Sequence, residues 1–148
     1  MPFIAIAYTQ NLQAPVGQWA CTRTSPHGPY TEAPPAAMRV DPNYCGQCVS
    51  FVARVCPDLP VNTGLWKKGL PVKTSGSIVD GTVIATFNEQ GRYQGHAAIY
   101  VRQDANGIHV YDQWVSGVNP KAIGPRLIRW NGTGVSNRGE GFHVVEPM

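Results

Sequence analysis

The sequence YCGQCVSFVARVC, residues 44–56, is the part of the chain that decides the fold. From Cys48 onward it is densely apolar and free of glycine and proline, and Pro57 then supplies a natural helix stop. These features predict a short buried helix with Cys48 in its first turn. A second short helix is predicted over residues 63–68.

Patterns typical of β-strands follow the helix. The sequence DANG at residues 104–107 is a strong hairpin signal, and residues 89–95 are predicted to form a polar loop. Strands are predicted over residues 82–87, 96–101, 108–114, 126–130 and 142–146. A helix followed by antiparallel strands indicates an α+β fold, with the helix packed on a sheet of about five strands.

The stretch before the helix has a different character. Residues 9–43 contain six prolines and few periodic apolar positions. They predict a long irregular loop, and a loop of that length inside a compact domain is usually functional or an insertion.

Composition limits the class of protein. The 148 residues suit a single domain over 1–148, and 43% hydrophobic residues exclude a disordered tail. The net charge of +3 is scattered along the chain, whereas a nucleic-acid-binding protein would show a denser basic stripe. No apolar run approaches the roughly 20 residues of a membrane span. Residues 1–8 are apolar but lack the basic start of a secretory signal.

Cys48 is the candidate nucleophile. A thiol attacks well only as a thiolate, and a helix N-terminus lowers the thiol pKa. The N–H groups of the first turn would also stabilise an oxyanion, and Gly46 would let a substrate carbonyl approach the main chain. Taken alone, Cys48 is better explained as a small buried residue of a helix.

His96 is the candidate base. It follows Gly95 at the start of a predicted strand, and the small residues around it leave the imidazole accessible. A catalytic histidine needs an acceptor that orients its second ring nitrogen. Asp112, on the strand that returns from the hairpin, is the first choice. Gln113 is the alternative, because the sequence leaves the register open by a residue or two.

The cysteines allow other interpretations. The pair Cys45 and Cys48 has the spacing of redox and zinc motifs, but zinc would need two further ligands and no second pair has zinc spacing. A thioredoxin-like site would need a βαβ context, whereas the predicted strands come after the helix. We therefore predict neither a metal nor a cofactor. In an oxidising compartment, Cys21 could pair with Cys45 or with Cys56.

Three motifs together resemble a known family: YCGQCV at residues 44–49, GHAAIY at 95–100 and YDQW at 111–114. They are similar to the papain-like cell-wall amidases, which include the CHAP and NlpC-type peptidases. The likeness is greatest to the small amidase effectors that Gram-negative bacteria deliver by type VI secretion. It covers about residues 44–148 and the first few residues of the chain.

The resemblance implies a papain-like fold and hydrolysis of peptide amides in peptidoglycan without a cofactor. It implies that Cys48 is the nucleophile, that His96 is general base and then acid, and that Asp112 orients His96. It further implies secretion without a conventional signal peptide, action in the periplasm of a target Gram-negative cell, and a cognate immunity protein that occludes the active site. The first choice of bond is the cross-link between D-alanine and diaminopimelate, and a bond earlier in the stem is the alternative. Residues 9–43 depart from the pattern, because small members have a much shorter connection there.

The substrate site is expected around the cysteine and the hairpin. The residues expected to contact substrate are Tyr44, Gly46, Gln47, Gln113 and Trp114. Trp66 and Tyr93 are expected to be core or rim residues. Two other functions remain open at this point: a papain-like toxin that uses the same triad on a host protein, and a non-catalytic cell-wall binding module with Cys48 in its core.

Overall fold

The computed structural model describes residues 1–32, 45–115 and 119–148. The described part has an α+β architecture with one α-helix, α1 (Cys48–Val55), and eight strands. The strands are β1 (Trp19–Ala20), β2 (Tyr30–Thr31), β3 (Trp66–Pro71), β4 (Val83–Phe87), β5 (Tyr93–Asp104), β6 (Gly107–Trp114), β7 (Lys121–Arg129) and β8 (Phe142–Pro147). Six strands form one sheet in the order β3-β8-β4-β5-β6-β7, and each neighbouring pair is antiparallel. β1 and β2 form a separate antiparallel pair.

The helix α1 covers the apolar run that follows Gln47. Gln47 is extended, with φ −63° and ψ 143°, so the helix begins at Cys48. Phe51, Val52 and Val55 are buried in a core cluster, and α1 packs on β5 and β6. Full burial of such side chains contributes about 1.5–3 kcal/mol each, which fixes the position of a helix of only eight residues.

Alternating strand residues place an apolar cluster on each face of the sheet. The cluster that contains α1 also contains Val83, Ala85, Ala97, Ile99 and Val145. The other contains Ile84, Ala98, Tyr100, Ile108, Val110 and Phe142. Among the described residues, no helix is long and apolar enough to cross a membrane.

The predicted second helix over residues 63–68 is wrong, and so is the count of five strands. Only a 3₁₀ turn, Thr63–Leu65, is present, and the Asn62 side chain caps it by accepting from Gly64 N. β3 then begins at Trp66 and pairs with β8. β3 is therefore the sixth strand of the sheet. Trp66 is 1% exposed, so burying its indole against the core outweighs the weak local preference for a helix.

The predicted loop over residues 89–95 also ends earlier than expected. β5 begins at Tyr93, which pairs with Phe87 on β4 after a register shift, so His96 lies inside β5 and not at its start. Gly95 adopts φ +114°, and a Cβ there would lie 2.3 Å from Thr86 Oγ1. Only glycine fits this irregular point of the strand, which turns the chain into the His96 segment.

The proline-rich stretch over residues 9–43 is described only as far as residue 32. It contains the β1–β2 pair. Cys21, the residue that follows β1, forms an antiparallel bridge with Cys45, so this part of the stretch lies next to the residues just before α1. Residues 33–43 lie outside the described residues.

Candidate active site

Cys48 lies at the first turn of α1 and is almost covered. Its side chain is free of disulfides and the residue is 7% exposed. Gly46, two residues earlier, has φ +94°, and its N–H donates to the Ala20 carbonyl at 2.8 Å. The left-handed glycine therefore anchors the segment that delivers Cys48 to the helix start.

His96 and Asp112 form a buried hydrogen-bonded pair across β5 and β6. His96 Nε2 donates to Asp112 Oδ2 at 2.8 Å. Since Asp112 occupies Nε2, Nδ1 is the ring nitrogen that remains for Cys48, with which His96 also shares a side-chain hydrogen bond. The three side chains therefore lie in one row: thiol, imidazole and carboxylate.

The strand alternation also separates Asp112 from Gln113. Ile99 pairs with Tyr111 and Tyr100 with Val110, and continuing this register brings Asp112 diagonally next to His96. Gln113 points to the opposite face, as neighbouring residues of a strand must. There it is fully buried, and its amide contacts the main chain at Ala20 N, Ala20 O and Gln47 O at 2.7–3.1 Å.

Asp112 is surrounded by positive groups. It is 0% exposed, Lys121 Nζ lies 3.1 Å from Oδ1, and Arg126 Nε lies 3.1 Å from Oδ2. Neither cation is aligned for a hydrogen bond to the carboxylate, so both act on it as nearby charges. Lys121 Nζ instead donates to the carbonyls of Asp112 and Gly124 at 2.9 and 2.7 Å. Neither cation is recognisable from the sequence, because each is a single basic residue on a strand several residues away from Asp112.

The local electrostatics favour the ionised forms of Cys48, His96 and Asp112. Burial alone raises the pKa of Asp112, but the hydrogen bond from His96 and the charges of His96, Arg126 and Lys121 outweigh it and lower that pKa below its usual value. Burial also opposes protonation of His96, yet its hydrogen bonds to Asp112 and Cys48 raise the pKa of His96 to about 9. Burial of Cys48 works against the thiolate, but His96 and Tyr93 lower the thiol pKa overall. These effects together favour a thiolate–imidazolium pair more than isolated cysteine and histidine side chains would.

Tyr93 is a functional candidate that sequence analysis assigned to the core or rim. Its hydroxyl lies 3.2 Å from Cys48 Sγ and 3.3 Å from the Gly95 carbonyl, to which it can donate. Burial and the negative charge of Cys48 raise the pKa of Tyr93, so the hydroxyl keeps its proton. When Cys48 is a thiolate, the hydroxyl can turn from the Gly95 carbonyl and donate its hydrogen bond to Sγ. The only sequence signal is that Tyr93 lies three residues before His96.

Tyr93→Phe is expected to raise the pKa of Cys48, because it removes one donor to the thiolate and keeps the ring that packs on Trp66 at 5.0 Å. Alkylation of Cys48 by iodoacetamide at pH 6 should slow by roughly 10- to 100-fold, the value of one hydrogen bond to a charged group. Alkylation at high pH should be nearly unchanged. Tyr100→Phe is the matched control, because Tyr100 is a buried tyrosine of the same strand whose hydroxyl contacts Gln103. Equal alkylation rates of Tyr93→Phe and the native protein at pH 6 would contradict this role.

A cavity of about 280 Å³ opens beside Cys48 and His96. Its lining residues are Gln47, Cys48, Gly95, His96, Trp114, Val115, Arg126, Ser136 and Asn137. Of the expected substrate-binding residues, Gln47 and Trp114 therefore line the cavity. Gly46 and Gln113 are buried but do not line the cavity; both instead form hydrogen bonds with the main chain near Ala20. Tyr44 lies outside the described residues.

The remaining cysteines are accounted for in the described structure. Cys21 and Cys45 form a disulfide, one of the two pairings expected for Cys21, and Cys56 is a free buried thiol. Because Cys45 is bonded to Cys21, it does not pair with Cys48, which leaves Cys48 available as a nucleophile.

An α+β fold with a helix-borne thiol that faces a strand-borne imidazole defines a protein of papain-like architecture. Comparison with known proteins then assigns the family: the model of the family "Domesticated amidase effector 2" matches residues 18–145. The chain belongs to this family.

Two curated relatives and one solved structure are similar to the chain. Domesticated amidase effector 2 of Ixodes scapularis is 42% identical over 104 residues, which cover 68% of this chain and 70% of the relative. Type VI secretion amidase effector 2 protein of Salmonella typhi is 33% identical over 115 residues, which cover 68% of this chain and 84% of the relative. The solved structure of type 6 secretion amidase effector 2 superposes with a TM-score of 0.60 at 32% identity, covering 69% of this chain and 81% of that one.

Proposed function

We propose that the chain is a cysteine-dependent amidase that hydrolyses peptide amides in peptidoglycan. The observation that carries this proposal is the row of Cys48, His96 and Asp112, whose thiol and imidazole line one cavity. The names of the relatives, which are amidase effectors, support the same reaction class.

In the proposed mechanism, Cys48 Sγ attacks the carbonyl carbon and the carbonyl π electrons move to oxygen. Main-chain N–H groups at the start of α1 are placed to stabilise this oxyanion. His96 then transfers its proton to the amide nitrogen, the C–N bond breaks, and the amine leaves. A water molecule, deprotonated by His96, attacks the thioester and releases the acid, which regenerates the thiolate and imidazolium. Asp112 stays ionised and holds the imidazole in the required orientation.

The proposed bond is the cross-link between D-alanine and diaminopimelate. Incubating purified sacculi with the protein, then cutting the glycan strands with a muramidase and analysing the muropeptides by mass spectrometry, tests activity and bond together. We expect cross-linked dimers to be replaced by monomers that end in D-alanine. Release of fragments cut earlier in the stem would reassign the bond, and an unchanged set of muropeptides would contradict the proposed function.

We further propose an antibacterial role, by delivery into the periplasm of a target cell through a type VI secretion apparatus. In a producing bacterium a cognate immunity protein would occlude the cavity beside Cys48. Expression in a Gram-negative host tests this role: lysis is expected when the protein is exported to the periplasm and not when it stays in the cytoplasm. Lysis by an exported Cys48→Ala variant would contradict it.

The rate of hydrolysis is expected to depend on pH in a way that reports His96. Because His96 must carry a proton to protonate the leaving amine, kcat/KM, which reports the free enzyme, should fall as pH rises through about 9. On the acid side kcat/KM should fall only below the ordinary thiol range, since the pKa of Cys48 is lowered. A kcat/KM profile on a soluble cross-linked peptide measures both limbs. An alkaline limb centred near the ordinary histidine pKa of about 6.5 would contradict the Asp112–His96 coupling.

A further inference from the structure

The cavity beside Cys48 has an unbalanced positive charge. Among the described residues of the lining, Arg126 is the one charged side chain besides the Cys48–His96 pair, and that pair is neutral overall in either proton arrangement. Behind the lining, Asp112 is shared between Lys121 and Arg126, at 3.1 Å from each, so these three side chains keep one net positive charge. No acidic side chain occurs among the lining residues within the described part of the chain.

The guanidinium of Arg126 is held rigidly by its surroundings. Nη1 donates to Asn137 Oδ1 at 3.0 Å, and Nη2 donates to the Ser136 carbonyl at 2.9 Å. The plane lies over the Trp114 ring, with Cζ 4.9 Å from the ring centroid. Such a guanidinium loses little side-chain entropy when it binds a ligand.

Arg126 retains donors for a ligand. Each terminal nitrogen carries two N–H groups, and in the described structure one group on each nitrogen has a protein acceptor. The side chain is 16% exposed, on the cavity that also holds the nucleophile. Two remaining N–H groups and a full positive charge match a carboxylate, which can accept both bonds.

We propose that Arg126 binds a substrate carboxylate next to the scissile amide, so that the cavity selects acidic peptides in which this carboxylate is free. The inference rests on the proposed function. In the cross-link between D-alanine and diaminopimelate, the carbon that bears the amide nitrogen also bears a carboxylate. Binding this group would orient the leaving amine toward His96, while Trp114 supplies a flat wall for the side chain.

The test uses two synthetic cross-linked peptides that differ only in this group, which is a carboxylate in one and a carboxamide in the other. The native protein is expected to cleave the carboxylate peptide with a kcat/KM about 10- to 100-fold higher, as charge-assisted hydrogen bonds predict. Equal kcat/KM values for the two peptides would overturn the inference.

Arg126→Gln separates substrate recognition from support of Asp112. Loss of support for Asp112 lowers kcat/KM for both peptides, whereas loss of recognition lowers it further for the carboxylate peptide and brings the ratio of the two peptides close to one. A merely structural role lowers both values equally and keeps the ratio, which would overturn the inference. Arg129→Gln is the matched control, because Arg129 is an exposed cation of the same strand, and it should keep the native ratio.

Isothermal titration calorimetry measures the affinity of both peptides for a Cys48→Ala variant. It tests the inference independently of hydrolysis and leaves Arg126 in place. A tenfold or greater preference for the carboxylate peptide supports it, and equal binding or no binding of either peptide overturns it. Preferential binding without any cleavage by the native protein would instead contradict the proposed function alone.

Discussion

Cys48→Ala is expected to abolish amide hydrolysis, with a loss of roughly 10⁴-fold or more in kcat, because no other group in the row can form the thioester. The fold should survive. The substitution removes one sulfur atom from a residue at the edge of the core, so the free energy of unfolding should change by only about 1 kcal/mol. Hydrolysis of a soluble cross-linked peptide measures the first quantity, and urea unfolding measures the second.

Cys56→Ala is the matched control for this experiment, because Cys56 is also a free, buried thiol and lies at the other end of α1. Burial is the largest influence on it and raises the pKa of Cys56, so it should be inert to iodoacetamide at neutral pH while Cys48 reacts. The control should retain native activity. Full hydrolysis by Cys48→Ala, or equal labelling of the two thiols, would rule out Cys48 as the nucleophile.

Asp112→Asn is expected to have the second largest effect, on activity and on stability together. The amide keeps the shape of the side chain but removes the negative charge that orients His96 and raises its pKa. Hydrolysis should fall by roughly 10³- to 10⁴-fold, as in other triads that lose their carboxylate, and the alkaline limb of any residual activity should move to lower pH.

The stability effect has a separate cause. Asp112 is fully buried, and its loss leaves Lys121 and Arg126 without their anion. Breaking a buried ion pair from one side costs about 3–5 kcal/mol, and the lower end applies because both cations retain some exposure. Urea unfolding of the variant measures this loss. Native stability would show that the two cations do not depend on Asp112.

The exposed pair of Asp104 and His109 provides the matched control. His109 Nε2 lies 2.8 Å from Asp104 Oδ2, the same separation as in the His96–Asp112 pair, but both side chains are partly exposed. Asp104→Asn should leave hydrolysis and stability close to native, because exposed ion pairs contribute little. A loss as large as that of Asp112→Asn would show that the effect does not come from burial in the active site.

Local sequence patterns were sufficient for some elements. The run from Cys48 to Val55 is helical in the structure, and the Asp104–Gly107 turn joins β5 to β6. A dense apolar run that ends before proline and a DANG turn both act over a few residues, so they are visible in sequence. Trp66 shows the limit, because its strand forms only by pairing with β8, almost eighty residues further along the chain.

The sequence by itself determined the candidate site residues of this protein: a cysteine at a helix start, a histidine after Gly95, and an acidic or amide partner on the returning hairpin strand. These follow from residue types and short-range order. Only the tertiary structure decided which partner serves His96, because the pairing register places Asp112 on its face of the sheet and Gln113 on the other. It also brought Tyr93 to the sulfur and Arg126 to the cavity. Those contacts depend on an irregularity in β5 and on packing between strands that are far apart in the chain. Local sequence patterns do not predict either of them.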